Sequence, residues 1–205
     1  PILKALATYP KQIVLAAGAF LSVQVSFYIF IVFIMSYGTD PGGLALTRSD
    51  MLMAVLISSF AQVPAIFLAA SWSDRHGRRG IYKTGALAMA VWGFCVFPLM
   101  DTGSLILITL ALSIGQIFIG MMYGPQAALL TELYSTEVRY SGASLGYQLG
   151  AIVGGGMAPI AATALIAAFG STVWVSAYIA LASLLTWLSL HLLKENHQVD
   201  LEKVS

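Results

Sequence analysis

The chain is 205 residues long, and its composition is 59% hydrophobic but only 9% charged, with a formal net charge of +1. Water-soluble domains carry charge on roughly a quarter of their residues, so this composition argues against a soluble fold. The near-zero net charge gives no reason to expect nucleic acid as a partner. Cys95 is the only cysteine, which excludes an internal disulfide and leaves too few soft ligands for a structural zinc site.

Six apolar stretches follow one another along the chain, each close to the roughly 20 residues that a helix needs to cross a bilayer. They lie at about 12–37, 51–71, 81–100, 104–130, 141–169 and 172–193. The sequence thus predicts an all-α integral membrane bundle of six transmembrane helices at residues 1–194 and a cytoplasmic tail at 195–205. Because the chain opens with Pro1 rather than methionine, we expect a fragment of a longer protein.

Basic residues indicate which helix ends face the cytoplasm, because Lys and Arg near membrane segments stay preferentially on that side. With both termini inside, the outer segments hold only Arg48. The inner segments hold Lys4, Lys11, Arg75, Arg78, Arg79, Lys83, Arg139, Lys194 and Lys203. This asymmetry fits an even number of spans. It predicts a multi-pass protein of the plasma or inner membrane with both ends in the cytoplasm.

The predicted inner loop after the second span contains the string SDRHGRR at residues 73–79. Asp74 can cap the following helix or pair with arginine, and Gly77 permits a tight reversal of the chain. Arg75, Arg78 and Arg79 offer bidentate donors to carboxylates. A generic positive loop is the alternative explanation, but it does not need Asp and Gly at these positions.

This D-R-x-G-R-R string resembles the signature loop of the major facilitator superfamily, in the weaker copy that follows the eighth helix. Ala70 stands where the full motif begins with glycine. The resemblance implies that the loop steadies an inner gate, with Asp74 near the start of the eleventh helix and the arginines paired to acidic groups. Asp74, Arg75 and Arg79 then become gate residues.

A second inner loop precedes the fifth span and carries Glu132, Glu137 and Arg139. The two glutamates are the obvious acidic partners for the arginines of the first loop. Exposed ion pairs contribute only about 0–1 kcal/mol, so their expected role is to distinguish two gate states rather than to stabilise the fold. Solvated loop charges without a special role are the alternative.

The run from Glu132 to Leu165, including GGGMAP at 154–159, resembles the metabolite:proton symporter family within that superfamily, whose members take up shikimate, oxoglutarate, citrate, proline or betaine. The resemblance implies helices seven to twelve of a twelve-helix protein, arranged as two three-helix inverted repeats. It also implies a missing N-terminal six-helix half as partner, a small organic acid or zwitterion as solute, and the proton as coupling ion with no other cofactor.

Glycine recurs every four residues in the fifth span, at Gly142, Gly146, Gly150 and Gly154. Small residues at this spacing let two helix backbones approach closely, which suits a sliding contact between bundles and equally suits static packing. Pro159 and the triple glycine predict a bend or local unwinding in the same helix.

Polar side chains inside the spans are few, and several pairs share a helical face, so they are our candidates for contact with the solute. They are Gln24, Tyr28, Ser58, Gln62, Gln116, Tyr123, Gln126, Ser144, Tyr147 and Gln148. Hydrogen bonding between helices is the competing explanation for each of them.

The sequence therefore predicts proton-coupled transport of a small solute by alternating access. A half-length membrane subunit that assembles through the glycine stripe and does not transport alone is the alternative. No charged pore ring supports a channel, and no nucleophile with its base, HExxH motif or pair of intramembrane aspartates supports an enzyme.

Overall fold

The computed structural model describes residues 7–134 and 138–193. Six long helices occupy this part of the chain, each long and apolar enough to cross a membrane. They are α1 (Pro10–Thr39), α2 (Arg48–His76), α3 (Arg78–Met100), α4 (Leu105–Thr131), α5 (Arg139–Phe169) and α6 (Val173–Leu192). This confirms the predicted all-α six-helix bundle. The predicted tail at 195–205 and Glu137 lie outside the described residues.

The turn between α2 and α3 is shorter than the sequence predicted. Helix α2 continues to His76 and α3 begins at Arg78, so Gly77 alone separates them. Its φ of 93° lies in a region that residues with a Cβ rarely adopt. Asp74 and Arg75 therefore lie on the last turn of a helix, since a helix can extend beyond the hydrocarbon core where water solvates its side chains.

Two helices contain π-helical segments within their length, away from both ends. Ala151–Gly156 in α5 is π-helical, where the triple glycine predicts local unwinding. Ile29–Phe33 in α1 is also π-helical, although no glycine or proline lies within it. The two segments lie close together, since Gly155 of the α5 segment contacts Tyr28, the residue before the α1 segment. Such segments leave backbone groups outside the regular ladder and often occur at functional sites.

Helix α1 lies at the centre of the described bundle, whereas α2 and α5 lie at its edge. The most apolar stretch of α1 is 61% buried, compared with 22% for both α2 and α5. The exposed side chains of α2 include Phe60, Phe67 and Leu68. Such apolar surface is suited to lipid or to another membrane-embedded protein.

Two parallel helix pairs bring backbone against backbone. A Cβ at Gly124 of α4 would come within 2.6 Å of the Ile66 carbonyl oxygen of α2, and one at Gly120 within 3.0 Å of the Gln62 carbonyl oxygen. Helices α5 and α1 form the second pair. In both pairs, glycines allow the two helix backbones to approach closely. Both pairs join the first three helices to the last three, so the two predicted repeats share one core.

Candidate functional site

Arg78 connects three helices at the predicted inner end of the bundle. Its guanidinium pairs with Asp74 at the end of α2, and it also donates to the Ser73 hydroxyl at 3.0 Å. A further bond, 3.2 Å long, runs from Arg78 Nε to a carboxylate oxygen of Glu132 at the end of α4. Arg78 is 17% exposed and Glu132 27%, so their bond is partly shielded from water, whereas Asp74 is 61% exposed.

Arg79 contacts a different helix from Arg78. Its Nε donates to the Leu190 carbonyl at 2.7 Å, and its terminal nitrogen donates to the His191 carbonyl at 2.9 Å. These carbonyls belong to the last turn of α6, where no intrahelical donor remains for them. A cation there also complements the partial negative charge of the helix end. Arg79 therefore ties the start of α3 to the end of α6.

The structure brings together some of the predicted gate residues but not all of them. Asp74, Arg78 and Glu132 form one connected group. Asp74 does not cap α3, because Gly77 occupies the cap position without a side-chain bond. Within the described residues, exposed Arg75 makes no ion pair, and the buried Nε of Arg139 has no hydrogen-bond partner.

Tyr134 is a buried residue near this group that the sequence analysis did not identify. Its ring meets Tyr9 edge to face at 5.7 Å between centroids, and a Cβ at Gly142 would come within 2.5 Å of it. Burial raises the pKa of Tyr134 to about 12. The ring thus packs the α4–α5 connection against the start of α1. In the sequence, the only indication of this packing is Gly142, whose missing side chain leaves space for the Tyr134 ring.

The glycine stripe of α5 lies directly against α1. A Cβ at Gly146 would come within 2.7 Å of the Ala16 Cβ, and one at Gly150 within 2.6 Å of the Phe20 Cβ. Gly154 faces Gln24 in the same way. The hypothesis of assembly with another chain through this stripe is therefore wrong for this arrangement, because the stripe is already covered from within the bundle.

The opposite face of α5 is open. Ser144 and Gln148 line a recess of about 290 Å³ together with Tyr140, Ser141 and Leu145. Tyr147 is 37% exposed, and its ring packs edge to face on Phe20 of α1 at 5.0 Å. This face offers hydroxyl, amide and aromatic groups to a molecule in the recess.

Gln24 and Tyr28 of α1 lie beside the π-helical segment of α5. A Cβ at Gly155 would come within 2.8 Å of the Tyr28 ring and 3.5 Å of the Gln24 side-chain oxygen. Tyr28 is 37% exposed, whereas Gln24 is 6% exposed. The tyrosine ring is therefore available to a ligand, whereas the glutamine is almost completely buried.

The ten polar candidates do not share one cavity in this conformation. Ser58 and Gln116 are fully buried, and Gln126 is 5% exposed. The Ser58 hydroxyl donates to the Val55 carbonyl of its own helix, and both amide atoms of Gln116 lack a partner among the described residues. Gln62 is half-buried and Tyr123 is 44% exposed. Ser58 and Gln116 cannot contact a solute without a rearrangement of the helices.

Metal chemistry has no obvious site in this part of the protein. Across residues 7–134 and 138–193, no three His, Cys, Asp or Glu side chains cluster in a way that could hold a metal ion. The arrangement instead offers neutral hydrogen-bonding groups on α1 and on α5 and an ionic connection at the helix ends.

Comparison with known proteins agrees with these features. The sequence pattern of the Major Facilitator Superfamily matches residues 13–203. The inner membrane metabolite transport protein YhjE of Escherichia coli is 34% identical over 206 residues, covering 98% of this chain and 46% of that protein. The shikimate transporter of Escherichia coli is 29% identical over 201 residues, covering 97% of this chain and 45% of that protein. The citrate-proton symporter of Klebsiella pneumoniae is 29% identical over 157 residues, covering 76% of this chain and 35% of that protein.

The chain thus spans about half the length of the curated metabolite and shikimate transporters that it matches. The match runs through all six helices described above. This multi-pass membrane protein therefore belongs to the Major Facilitator Superfamily, a family of transporters rather than enzymes.

Proposed function

We propose that this chain forms the C-terminal half of a secondary transporter that carries a small organic acid or zwitterion together with a proton. Both of its ends would face the cytoplasm. Its similarity to a shikimate transporter and a citrate-proton symporter supports this solute class and this coupling ion. The nine inner basic residues support the orientation.

The observation that carries the mechanism is the triple contact of Arg78. Its bonds to Asp74 and Glu132 connect α2, α3 and α4 at one end of the bundle. Alternating access requires that one end of the bundle closes while the other opens. Ion pairs near water contribute little to stability, but they bias an equilibrium if only one state forms them. We assign the group to the inner gate, together with Arg75, Gly77, Arg79, Glu137 and Arg139.

The solute would bind against α1 and α5. Tyr28 of α1 is exposed, and so are Ser144, Tyr147 and Gln148 of α5. Their groups are neutral, so this half would supply hydrogen bonds and aromatic contact, and a charge that holds a carboxylate would come from the N-terminal six-helix half. That half would also cover part of the apolar surface of α2 and α5, with lipid covering the remainder.

Uptake by the complete transporter that contains this chain tests the function. Membrane vesicles would be assayed with labelled shikimate, oxoglutarate, citrate, proline and betaine, with and without an inward proton gradient. We expect gradient-driven accumulation of at least one of these solutes. Absence of such uptake across the panel, with the protein present in the membrane, would contradict the proposed solute class.

The gate assignment has its own test. Asp74→Ala and Arg75→Ala should lower the transport rate more than they lower membrane insertion. Arg78→Ala should have a larger effect than Arg75→Ala, because Arg78 makes the ionic contacts and Arg75 makes none among the described residues. Initial uptake rates normalised to protein in the membrane give the comparison. Normal rates in Arg78→Ala would remove the assignment.

A further inference from the structure

Helices α1 and α6 meet through an unusual hydrogen-bond arrangement at Thr186. The Thr186 hydroxyl accepts a bond from the Ser22 backbone N–H at 2.9 Å and donates to the Gly18 backbone carbonyl at 2.8 Å. In a regular α-helix these two backbone groups pair with each other, because residues four apart form each rung of the ladder. One side chain of α6 therefore engages both ends of a single rung of α1.

The surroundings of this hydroxyl hold it in place. Thr186 and Ser22 are both fully buried, so water does not compete for their hydrogen bonds. Gly18 allows the approach of the two helices, because a Cβ at that position would collide with the Ser189 hydroxyl. Beside the rung, the hydroxyls of Ser22 and Ser183 are 2.8 Å apart. The Ser183 bond reaches only a side chain of α1, whereas the Thr186 bonds reach its backbone.

The shared rung lies at one boundary of a functionally placed segment. Gln24 and Tyr28 follow Ser22 within two turns, and the π-helical segment Ile29–Phe33 comes directly after them. A side chain that enters the backbone ladder is a known cause of helix bending, and so is a π-helical turn. The part of α1 that carries the solute candidates thus lies between the Thr186 contact and a π-helical segment.

The other end of the connection reaches the predicted gate. Thr186 lies one helical turn before Leu190, whose carbonyl accepts the bond from Arg79. Arg79 is adjacent in sequence to Arg78, which forms the ionic group. A continuous set of contacts therefore runs from the gate through the end of α6 to the backbone of α1.

We propose that Thr186 is a positioning residue for solute binding: by bonding both ends of the Gly18–Ser22 rung, it sets the orientation of the Gln24–Tyr28 segment of α1. This inference rests on the proposed function, because it assumes that Tyr28 contacts the solute. It predicts that the hydroxyl of Thr186 matters to affinity, although Thr186 itself is fully buried and does not contact the solute.

Transport kinetics separate positioning from simple packing. Thr186→Val keeps the side-chain shape and removes both bonds, and Thr186→Ala removes them without adding a methyl group. In the complete transporter, both should change KM by about threefold to tenfold, the effect expected from one or two lost hydrogen bonds. Thr186→Ser keeps the hydroxyl and should stay within about twofold of the original KM, as should the matched control Ser183→Ala. Equal effects of Thr186→Val and Ser183→Ala would overturn the proposal, as would an unchanged KM in Thr186→Val.

A second measurement does not depend on transport. In a transporter whose other cysteines are removed, Tyr28→Cys would be labelled with a water-soluble maleimide. Adding Thr186→Val should change the labelling rate at least about threefold, while adding Ser183→Ala should leave it within about twofold. Unchanged labelling in both would contradict the positioning role. If labelling changes but no solute is taken up, the proposed function fails while the effect of Thr186 on α1 stands.

Discussion

Two of the neighbours of helix α1 hold it in different ways. On one side, the glycines of α5 lie against Ala16, Phe20 and Gln24, so this contact depends on close packing. On the other side, α6 holds α1 through the hydroxyls of Ser183 and Thr186. In a contact of the first kind, a side-chain atom added at the glycine would collide with the neighbouring helix. A contact of the second kind depends on the geometry of a few bonds and can exist in more than one arrangement.

This difference indicates how a membrane helix can be both fixed and adjustable. Hydrophobic association does not hold helices together in lipid, so close packing and hydrogen bonds must do so. The glycines of α5 let α5 pack closely against α1, and we expect this contact to define where α1 lies. The α1–α6 contact places polar groups along the same helix, and we expect it to define how α1 bends.

The largest effect on stability is expected when one methyl group is added at a glycine of α5 that contacts α1. In Gly150→Ala, the new Cβ would lie 2.6 Å from the Phe20 Cβ and 3.0 Å from the Ala17 carbonyl oxygen. Neither can move without displacing α1, so we expect a loss of about 2–3 kcal/mol in the free energy of unfolding. Unfolding of the purified transporter in detergent measures it.

Gly156→Ala is the matched control for that change. It lies in the same helix, and no atom stands within 4 Å of its added Cβ. Because alanine favours helix over glycine, we expect no loss of stability. Equal destabilisation by both substitutions would show that the contact with α1 is not the cause.

A methyl group added where α1 meets α6 should lower the free energy of unfolding by less. In Gly18→Ala, the new Cβ collides with the Ser189 hydroxyl, which is a side chain that can rotate away. We expect a loss of about 1–2 kcal/mol. Adding Ser189→Ala should restore part of it, because the colliding oxygen is removed. A double variant no more stable than Gly18→Ala would contradict this account.

The smallest expected effect concerns the hydroxyl pair of Ser22 and Ser183, which lie 2.8 Å apart. Each alanine substitution removes one partner, and the double substitution removes both. A double-mutant cycle in unfolding free energy should give a coupling of about 0.6 kcal/mol, the usual size for a hydrogen bond between membrane helices. A coupling near zero would mean that the pair contributes through packing only.

Much of the fold follows from local sequence. The six spans were predictable because length and apolarity alone decide whether a helix can cross a bilayer. The tight reversal at Gly77 was predictable for a similar reason, since few other residues adopt its φ. The π-helical segment at 151–156 ends in three glycines, and glycine has a low helix propensity.

The candidate site was harder to predict, because its geometry depends on contacts between distant parts of the chain. Whether Gln116 faces a cavity or the interior depends on the rotation of α4, which hydropathy does not set. The bonds of Thr186 require that α6 meets α1 at Gly18, residues separated by most of the sequence. The π-helical segment Ile29–Phe33 has an ordinary apolar composition that carries no sign of irregularity.

The close pairing of α2 with α4 has a consequence for how the protein is made. Ribosomes deliver α2 to the membrane before α3 and α4, so the surface of α2 that receives Gly120 and Gly124 has no partner when it first enters the lipid. Until α4 arrives, that surface is covered by lipid, by the insertion machinery or by a helix made earlier. The packing of α2 against α4 is therefore completed only after α4 has entered the membrane, two spans later than α2.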